Sequence, residues 1–544
     1  MPTLCHRVLE VWRRAPERPW LHFIADAGCR TFSYDDLVRR AAWFAGLYRT
    51  RGLVPGDVVL LVLDHSADAG PAFLGAMMLG AVPSFLPPLT VKQDPVLYWH
   101  SMKVLVARIE ARLIVTFPAY REMAVPIIPD LADRMVVAPE AAAEGRAAAV
   151  PEPLSGDPAF LQHSSGTTGL KKGVALSHRA VLAQIDRYRA VLGLSNADVI
   201  ASWLPLYHDM GLIACLVMPM VTGVPVVAMD ALDWTARPVL LFEAIERHRA
   251  TLVWLPNFAF HHLAAAVPES ARLDLSSLRA IINCSEPCKP ATFDLFARRF
   301  AACGVRPEML QCCYAMAENV FAVTQTPLGR PVPVDRVDRA LLESAGIARP
   351  AAAGADGARA LLGCGPPLDG VDVRIVDDGG RTLAERQVGE IAVTGPCRFD
   401  GYFRLPEESA RTLQDGWYRT GDLGYLAGGG LYVTGRKDDL LIINGRNLYA
   451  HDIESLVNQV DGVTPGRCVA LGAYNDQTGS QDLVVVAEGE RDPAVARAIR
   501  NRVLAETGFR VTVVRLVDAG WLIKTSSGKI SRVENLNKYR ESVS

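Results

Sequence analysis

Residues 160–177 read FLQHSSGTTGLKKGVALS, and this stretch is the starting point for interpreting the fold and function of the chain. Positions 164–169 are all serine, glycine or threonine; two lysines and a glycine follow, and apolar residues flank both ends. Small residues let backbone N–H groups approach a ligand closely, while the hydroxyls and Lys172 can address phosphate oxygens. The pattern predicts a buried strand followed directly by a mobile loop that binds polyphosphate, called the clamp below. A flexible linker is the alternative, although linkers rarely lie between apolar runs.

Two common phosphate-binding motifs do not fit this stretch. A Walker A loop needs G-K-[ST], whereas Gly169 is followed by Leu170, Lys171, Lys172 and Gly173. The dinucleotide pattern G-x-G-x-x-G is also absent. The stretch is therefore predicted to bind phosphate without being a Walker A loop or a dinucleotide-binding loop.

Length and composition bound the class of protein. A chain of 544 residues predicts two to four domains, and 50% hydrophobic with 21% charged residues is typical of a globular protein with sizeable cores. A net charge of −2 and a pI near 6.6 argue against nucleic acid as a partner and against electrostatic adsorption to a membrane. The eleven cysteines are scattered and odd in number, which favours reduced, buried thiols over a disulfide framework or a zinc site.

Two segments bear on a membrane or export role. The N-terminus, MPTLCHRVLEVWRRAPERP, is charged and lacks the apolar core of a signal peptide. Residues 211–229 carry no charge, but they contain Pro219, Gly223 and Pro225. This pattern predicts a buried helix, a turn and then a strand over residues 224–229. We expect a cytoplasmic protein without a membrane span.

Short apolar runs alternate with helical patterns through the first 325 residues. The sequence TFSYDDL at 31–37 predicts the start of a helix that continues through residue 47. Buried strands are predicted at 58–63, 199–204, 250–255 and 280–283. This alternation predicts an α/β fold, with a large N-terminal domain of helix-covered, mostly parallel sheets.

Two shifts in composition follow. Residues 325–363 are rich in proline, alanine and glycine and are predicted to form an irregular insertion, after which 371–376 and 390–394 alternate like antiparallel strands of a β-subdomain. A second shift falls at GRKDD, residues 435–439. The remaining residues, about 105, have their own strand–helix–strand rhythm, which predicts a separate small α+β domain.

The clamp is one of six motifs that occur in order. They are SSGTTGLKKGV at 164–174, PLYHDMG at 205–211, YAMAE at 314–318, YRTGDL at 418–423, GRKDD at 435–439 and KTSSGK at 524–529. Together they resemble the adenylate-forming superfamily of acyl-CoA synthetases, peptide-synthetase adenylation domains and luciferases, over nearly the whole chain. Further stretches look closest to the fatty acyl-AMP ligases: WLPLYHDMG at 203–211, PNFA at 256–259, NCSEP at 283–287, GRNLY at 445–449 and the block 334–368.

The resemblance implies a reaction and its partners. Such ligases convert a carboxylic acid and ATP to acyl-AMP and pyrophosphate, then hand the acyl group to the phosphopantetheine thiol of an acyl carrier protein. ATP and Mg²⁺ are the expected cofactors, a fatty or related acid is the expected substrate, and a monomer or weak dimer is expected. An acyl-CoA synthetase is the alternative, which the insertion disfavours and Asp438 favours.

The resemblance also implies the residues that bind the nucleotide. The phosphate-binding set is Ser164, Ser165, Gly166, Thr167, Thr168, Gly169 and Lys172. Tyr314 is expected to pack against adenine, Asp422 to accept the ribose hydroxyls, and Arg436 to be the basic partner near the ribose. Glu286, in NCSEP, is included among the nucleotide-binding residues.

Three catalytic positions are implied as well. A carboxylate that attacks the α-phosphate of ATP needs charge neutralisation, because both reactants are anions. Glu318, with Thr168, is expected to bind Mg²⁺, a hard cation suited to carboxylate and phosphate oxygens. His208 is expected to line the acyl pocket, and Lys529 to bridge the carboxylate and the α-phosphate. The plainer interpretations are a capping glutamate, a structural histidine and a solvated lysine.

In this superfamily the C-terminal domain brings its lysine in for adenylation and rotates away for acyl transfer. The expected organisation is an adenylation domain over 1–435, with the irregular insertion at about 325–363, a hinge at 436–440 and a mobile lid domain over 441–544. Asp438 would be the pivot, where a few torsions absorb the change. Gly445 would let the pantetheine arm approach the backbone.

Several positions depart from the family pattern. Lys171 replaces the usual proline, so both Lys171 and Lys172 are candidates for the phosphate contact, and His163 replaces a commoner tyrosine. Ala315 and Asn319 beside Glu318 would narrow or redirect the acyl pocket, so the acid could be other than a long plain chain.

Three further functions are consistent with parts of the pattern or are argued against by it. Transfer of the acyl group to an amine is a third enzymatic possibility. A catalytically inactive nucleotide-binding protein is disfavoured, because Glu318, Asp422 and Lys529 are all present. An α/β hydrolase is disfavoured because no G-x-S-x-G elbow occurs.

Overall fold

The computed structural model describes residues 2–25, 28–63, 66–89, 95–138, 150–154, 156–163, 172–352, 354–355, 357–443, 446–475, 480–524 and 530–542. Up to residue 436 the strands are β1 Pro19–Ala25, β2 Gly28–Ser33, β3 Val58–Leu61, β4 Val82–Phe85, β5 Leu113–Thr116, β6 Met135–Val137, β7 Phe160–His163, β8 Gly173–Leu176, β9 Ile200–Ser202, β10 Val226–Met229, β11 Leu252–Leu255, β12 Ala280–Asn283, β13 Leu310–Ala315, β14 Ala322–Gln325, β15 Val334–Asp338, β16 Ala358–Leu362, β17 Asp372–Val376, β18 Gly389–Thr394, β19 Gly401–Tyr402, β20 Leu413–Gln414, β21 Trp417–Ala427 and β22 Gly430–Arg436.

The α-helices of the same part are α1 Leu4–Arg14, α2 Tyr34–Thr50, α3 Ala69–Met78, α4 Pro95–Ile109, α5 Pro118–Ala124, α6 His178–Leu192, α7 Met218–Thr222, α8 Ala231–Ala236, α9 Val239–His248, α10 Asn257–Ala266, α11 Pro290–Phe300, α12 Arg339–Ala345 and α13 Pro406–Thr412. The C-terminal elements are β23 Leu440–Ile443, β24 Arg446–Tyr449, α14 Ala450–Val457, β25 Val463–Asn475, β26 Ser480–Gly489, α15 Pro493–Thr507, β27 Val513–Val517 and α16 Arg532–Glu541.

The largest sheet has eight strands in the order β14-β13-β12-β11-β9-β10-β1-β2. The strands from β13 to β1 are parallel to one another, and the antiparallel strands β14 and β2 close the two edges. Strands β9 to β12 are short apolar runs that are buried throughout, as expected where helices cover both faces of a sheet. The carboxyl ends of β9, β11, β12 and β13 therefore meet at one edge. The predicted α/β fold is confirmed.

A smaller sheet contains the strands on either side of the predicted phosphate clamp. Strand β7 is fully buried and ends at His163, which confirms the predicted buried strand before the clamp. Strand β8 begins at Gly173 and pairs with β7 on one side and β19 on the other, so that Val174 lies opposite Tyr402. Residues 164–171 lie outside the described part of the chain.

Local signals in the sequence account for two predicted elements. The Ser33 hydroxyl accepts the Asp36 N–H at 3.1 Å, and the Ser33 N–H donates to the Asp36 carboxylate at 2.7 Å, which starts α2 as predicted. The uncharged segment 211–229 forms most of a buried π-helix, Met210–Val217, then α7 and strand β10, which confirms the predicted helix, turn and strand. No helix in the described ranges combines the length and apolar character that crossing a bilayer requires.

The segment predicted to be an irregular insertion is ordered instead. Strands β15 and β16 form an antiparallel hairpin, and α12 lies between them in sequence. The apolar side chains Val337, Leu342 and Leu361 form a small core with Tyr425 and Tyr432, whose rings stack with centroids 5.1 Å apart. The local composition concealed this fold, because the partners that bury the insertion come 60 or more residues later in the chain.

Residues after Leu440 form their own packed elements. Strands β25, β26 and β27 make one sheet, β23 and β24 make a hairpin, and α14 and α15 contribute to an apolar cluster with residues from 441 to 511 only. Two ion pairs connect this part to the insertion: Arg359 with Asp452 at 2.9 Å, and Arg446 with Glu343 at 2.6 Å.

All eleven cysteines are free thiols, and eight of them are buried. Burial raises the pKa of the Cys5 and Cys215 thiols to about 12, so these side chains stay protonated and behave as small apolar groups. The prediction that most of the cysteines are buried is confirmed.

Candidate active site

The carboxyl edge of the large sheet gathers four of the predicted segments. His208 lies in the turn after β9, Glu286 follows β12, Tyr314 is near the end of β13, and Glu318 lies in the turn between β13 and β14. Ligands of parallel α/β sheets bind at the carboxyl ends of the strands, where loops converge. The fold therefore places these positions where a substrate site is expected.

Asp422 lies between the two residues predicted to share the nucleoside site. The Tyr314 hydroxyl donates to Asp422 Oδ2 at 2.6 Å, and Arg436 Nε donates to Asp422 Oδ1 at 3.0 Å. Asp422 and Arg436 are register partners on β21 and β22, so the sheet itself aligns them. Burial and the Asp422 charge raise the pKa of Tyr314, which therefore remains a donor. The structure brings Tyr314, which is 108 residues away in sequence, to the predicted pair Asp422 and Arg436.

A buried ion pair fixes the turn that presents Asp422. Arg419 donates to Glu390 Oε2 at 2.6 Å, and the Gly421 N–H donates to Glu390 Oε1 at 3.1 Å. The Asp422 N–H in turn donates to the Thr420 hydroxyl at 3.0 Å. The ion-paired side chains are only 14% and 11% exposed, so the carboxylate is held between two donors in a poorly hydrated setting. The Asp422 carboxylate is thereby oriented by its own strand.

Glu318 is held by a tyrosine that the sequence analysis did not single out. The Tyr402 hydroxyl donates to Glu318 Oε1 at 2.8 Å, and the Phe399 N–H donates to the Glu318 carbonyl at 2.8 Å. Burial and the Glu318 charge raise the pKa of Tyr402, so the hydroxyl keeps its proton. Tyr418, whose hydroxyl is 3.4 Å from that of Tyr402, connects this group to the strand that carries Asp422.

The donor set around Glu318 fits Mg²⁺. One carboxylate oxygen is engaged by Tyr402, and the other accepts no hydrogen bond from the described residues. Mg²⁺ in nucleotide sites is held by one or two carboxylates together with substrate phosphates and water, rather than by an all-protein cage. In keeping with that chemistry, the described ranges contain no set of three or more histidine, cysteine, aspartate or glutamate side chains arranged as metal ligands.

Lys172 lies beside the same tyrosine. Its Nζ is 5.2 Å from the centroid of the Tyr402 ring and 2.6 Å from Glu408 Oε2. The hydrogen bond from Lys172 holds the pKa of Glu408 below its usual range, so the carboxylate is ionised at neutral pH. Lys172, Tyr402 and Glu318 thus form one continuous group, and Lys172 is the last residue of the clamp.

Two further predicted residues, Glu286 and His208, are held by contacts outside the Tyr314–Asp422–Arg436 group. Glu286 Oε2 accepts the Phe258 N–H at 2.9 Å near the start of α10, and Glu286 makes no described hydrogen bond to Tyr314, Asp422 or Arg436. His208 is partly exposed, and its ring centroid lies 4.8 Å from that of Tyr207. Its carbonyl accepts the Leu212 N–H at 2.8 Å, which anchors the turn to the π-helix.

Several predicted residues cannot be placed. The clamp residues and the C-terminal lysine lie outside the described part of the chain; they are Ser164, Ser165, Gly166, Thr167, Thr168, Gly169, Lys171 and Lys529. Gly445 also lies outside it.

The residues that the sequence analysis missed differ in how visible they were. Tyr418 and Arg419 belong to the motif YRTGDL, so a closer reading of that motif could have included them. Tyr402 lies in a strand of two residues, which has no periodic signal. Glu390 and Glu408 are ordinary acidic residues in the sequence, and only their partners reveal them.

Comparison with known proteins agrees with this geometry. The AMP-binding enzyme family matches residues 8–403. The long-chain-fatty-acid–AMP ligase FadD26 of Mycobacterium marinum is 32% identical over 552 residues, covering 94% of this chain and 91% of that protein. The medium-chain-fatty-acid–[acyl-carrier-protein] ligase JamA of Moorena producens is 34% identical over 394 residues, covering 69% of this chain and 66% of that protein.

A solved structure covers the whole chain. It comes from structural and functional studies of fatty acyl-adenylate ligases from E. coli and L. pneumophila, and it matches with a TM-score of 0.90 and 28% identity over 100% of this chain and 98% of that one. The resemblance drawn from the six motifs is confirmed. This chain belongs to the family of AMP-binding enzymes, within the adenylate-forming superfamily that includes the fatty acyl-AMP ligases.

Proposed function

We propose that this protein uses ATP to convert a fatty or related carboxylic acid to acyl-AMP and then transfers the acyl group to the phosphopantetheine thiol of an acyl carrier protein. The observation that carries the proposal is the convergence of Tyr314, Asp422 and Arg436 with Glu318 and Lys172 at one site. The fold thus brings the residues expected to bind the nucleoside next to those expected to bind the phosphates and their Mg²⁺. The activities named for the two related ligases support the same reaction.

The residues divide the chemistry between them. The carboxylate oxygen of the acid attacks the α-phosphorus, and the bond from that phosphorus to the bridging oxygen breaks, so pyrophosphate leaves with the electron pair. Asp422 accepts the ribose hydroxyls and Tyr314 packs against adenine, which fixes the α-phosphate relative to the acid. Lys172 and the clamp hydroxyls bind the leaving phosphates, and Lys529 bridges the carboxylate and the α-phosphate.

Glu318 and Thr168 would hold Mg²⁺ in this reaction. The ion, when bound, neutralises part of the phosphate charge. Tyr402 leaves one oxygen of Glu318 available and fixes the orientation of the other. His208 lines the acyl pocket next to the reacting carboxylate.

The second half-reaction requires a different arrangement of the C-terminal part. The carrier thiol attacks the acyl carbonyl carbon, and AMP leaves with the oxygen that came from the acid. We infer that 436–440 is a hinge between an adenylation domain over 1–435 and a lid domain over 441–544, with Asp438 as the pivot. Movement of the lid has to break the pairs Arg359–Asp452 and Arg446–Glu343, which connect it to the insertion.

Mass analysis of the products tests the proposal. The protein is incubated with ATP, Mg²⁺, coenzyme A, a phosphopantetheinylated carrier protein and a pool of acids from short and aromatic to long fatty acids. Acyl-AMP and acylated carrier without acyl-CoA are expected, and the masses name the acid. Acyl-CoA as the main product would replace the proposal with an acyl-CoA synthetase, and no adenylate with any acid would contradict it.

A further inference from the structure

Lys172 is not a free cation in this structure. Its Nζ donates to Glu408 Oε2 at 2.6 Å, with side chains that are 24% and 28% exposed. The same carboxylate oxygen accepts a hydrogen bond from Arg411 at 2.5 Å, although the Arg411 side chain is 68% exposed. The clamp lysine therefore has a carboxylate as its immediate partner where phosphate oxygens are expected during the reaction.

The pairing of strand β19 with strand β8 explains why Glu408 reaches Lys172. Strand β19 pairs with β8, which begins directly after Lys172, and the Phe403 N–H donates to the Gly173 carbonyl at 2.7 Å. Helix α13 follows β19 and is tied back to it, because the Tyr402 N–H donates to the Ser409 hydroxyl at 2.8 Å. Glu408 is thus placed by the backbone of the site itself.

An ionised carboxylate at this position acts against phosphate binding in two ways. It neutralises the charge of Lys172 and occupies one of its three donors, so an incoming phosphate has to compete with it for the lysine, and its own charge repels the phosphate oxygens. ATP and pyrophosphate share the phosphate end that meets Lys172. Both effects therefore weaken the binding of the substrate and of the leaving product together.

We propose that Glu408 is a positioning residue that holds Lys172 as a counter-ion between turnovers and is displaced from it by the phosphates of ATP. The pair sets the affinity of the site for the triphosphate and promotes release of pyrophosphate. The inference rests on the proposed function, because it takes Lys172 as the residue that meets the leaving phosphates.

Binding of pyrophosphate gives a direct test. Isothermal titration calorimetry with pyrophosphate at fixed Mg²⁺ is compared for the wild type, Glu408→Gln and the matched control Glu407→Gln. Glu407 is the preceding residue of α13; it is exposed and makes no ion pair with any described residue. We expect Glu408→Gln to bind pyrophosphate about two- to fivefold more tightly, with the ATP KM lowered by a similar factor and kcat not raised. The control is expected to match the wild type.

A second comparison separates the counter-ion role from general repulsion. In a Lys172→Ala background, Glu408→Gln is expected to give a clearly smaller gain in pyrophosphate affinity, because the repulsion by the carboxylate is still relieved but no lysine is released. Unchanged or weaker binding by Glu408→Gln, or the full gain persisting without Lys172, would overturn the proposal; thermal unfolding of each variant confirms that it is folded. A wild type that makes no acyl-AMP would refute the proposed function alone, since pyrophosphate binding can still be measured.

Discussion

Replacing Asp422 with asparagine tests the nucleoside site with little change in shape. The carboxylate accepts hydrogen bonds from Tyr314 at 2.6 Å and from Arg436 at 3.0 Å. Asparagine retains one oxygen for the Tyr314 hydroxyl but removes the negative charge that would accept both ribose hydroxyls. A hydrogen bond to a charged group is worth about 1 kcal/mol more than a neutral one. Two such bonds amount to about 2 kcal/mol, or a roughly 30-fold higher ATP KM.

The effect on the fold is expected to be small. Arg436 is 56% exposed, so water can solvate its guanidinium when the partner charge is lost. The free energy of unfolding is expected to fall by less than about 1 kcal/mol. Steady-state pyrophosphate release measures the ATP KM, urea unfolding measures stability, and Asp372→Asn, an exposed aspartate on β17, is the control. An ATP KM within about threefold of the wild type in a folded Asp422→Asn protein would refute the ribose assignment.

Three further changes have distinct signatures. Lys529→Ala is expected to lower adenylate formation by about 100-fold or more while leaving use of pre-made acyl-AMP largely intact; equal loss of both half-reactions in rapid-quench assays would contradict its role. Glu390→Gln leaves Arg419 buried without its counter-charge, so the free energy of unfolding measured in urea should fall by about 3 kcal/mol. An unchanged midpoint would argue against the role of the Arg419–Glu390 pair in fixing the turn that carries Asp422. Burial lowers the pKa of His451 to about 4 in the folded protein, whereas in the unfolded chain it titrates near 6.5. The unfolded state therefore binds more protons at this residue between these values, so His451 should contribute a loss of about 2 to 3 kcal/mol of stability from pH 7 to 4.5. This loss adds to that from His178 and is opposed by Glu454, whose pKa burial raises to about 7. His451→Gln should remove its share, and the same pH dependence in the variant would exclude that contribution.

The elements that the sequence predicted well are those with local causes. Ser33 and Asp36 form a capping box within four residues, and the strand before the clamp is a run of buried residues. The uncharged segment 211–229 predicts a helix, a turn and a strand because Pro219 and Gly223 interrupt it. Tyr314 could be grouped with Asp422 and Arg436 only through the order of motifs, since nothing local relates positions more than 100 residues apart.

The elements that the sequence concealed depend on distant partners. The apolar residues of the insertion's hairpin pack against Tyr425 and Tyr432, so its own composition, rich in proline, alanine and glycine, resembles that of a loop. Tyr402 reaches Glu318 across 84 residues from a strand too short to show a pattern. Glu408 becomes notable only when the pairing of β8 and β19 brings it to Lys172.

The central claim is that the carboxylate of the acid attacks the α-phosphorus of ATP, and oxygen labelling tests it most directly. The acid found in the product analysis is prepared with ¹⁸O in both carboxylate oxygens and incubated with ATP and the carrier protein through complete turnovers. The account predicts that AMP carries one ¹⁸O and that pyrophosphate carries none. Label in orthophosphate together with ADP, or AMP formed without label, would contradict an acyl-adenylate mechanism.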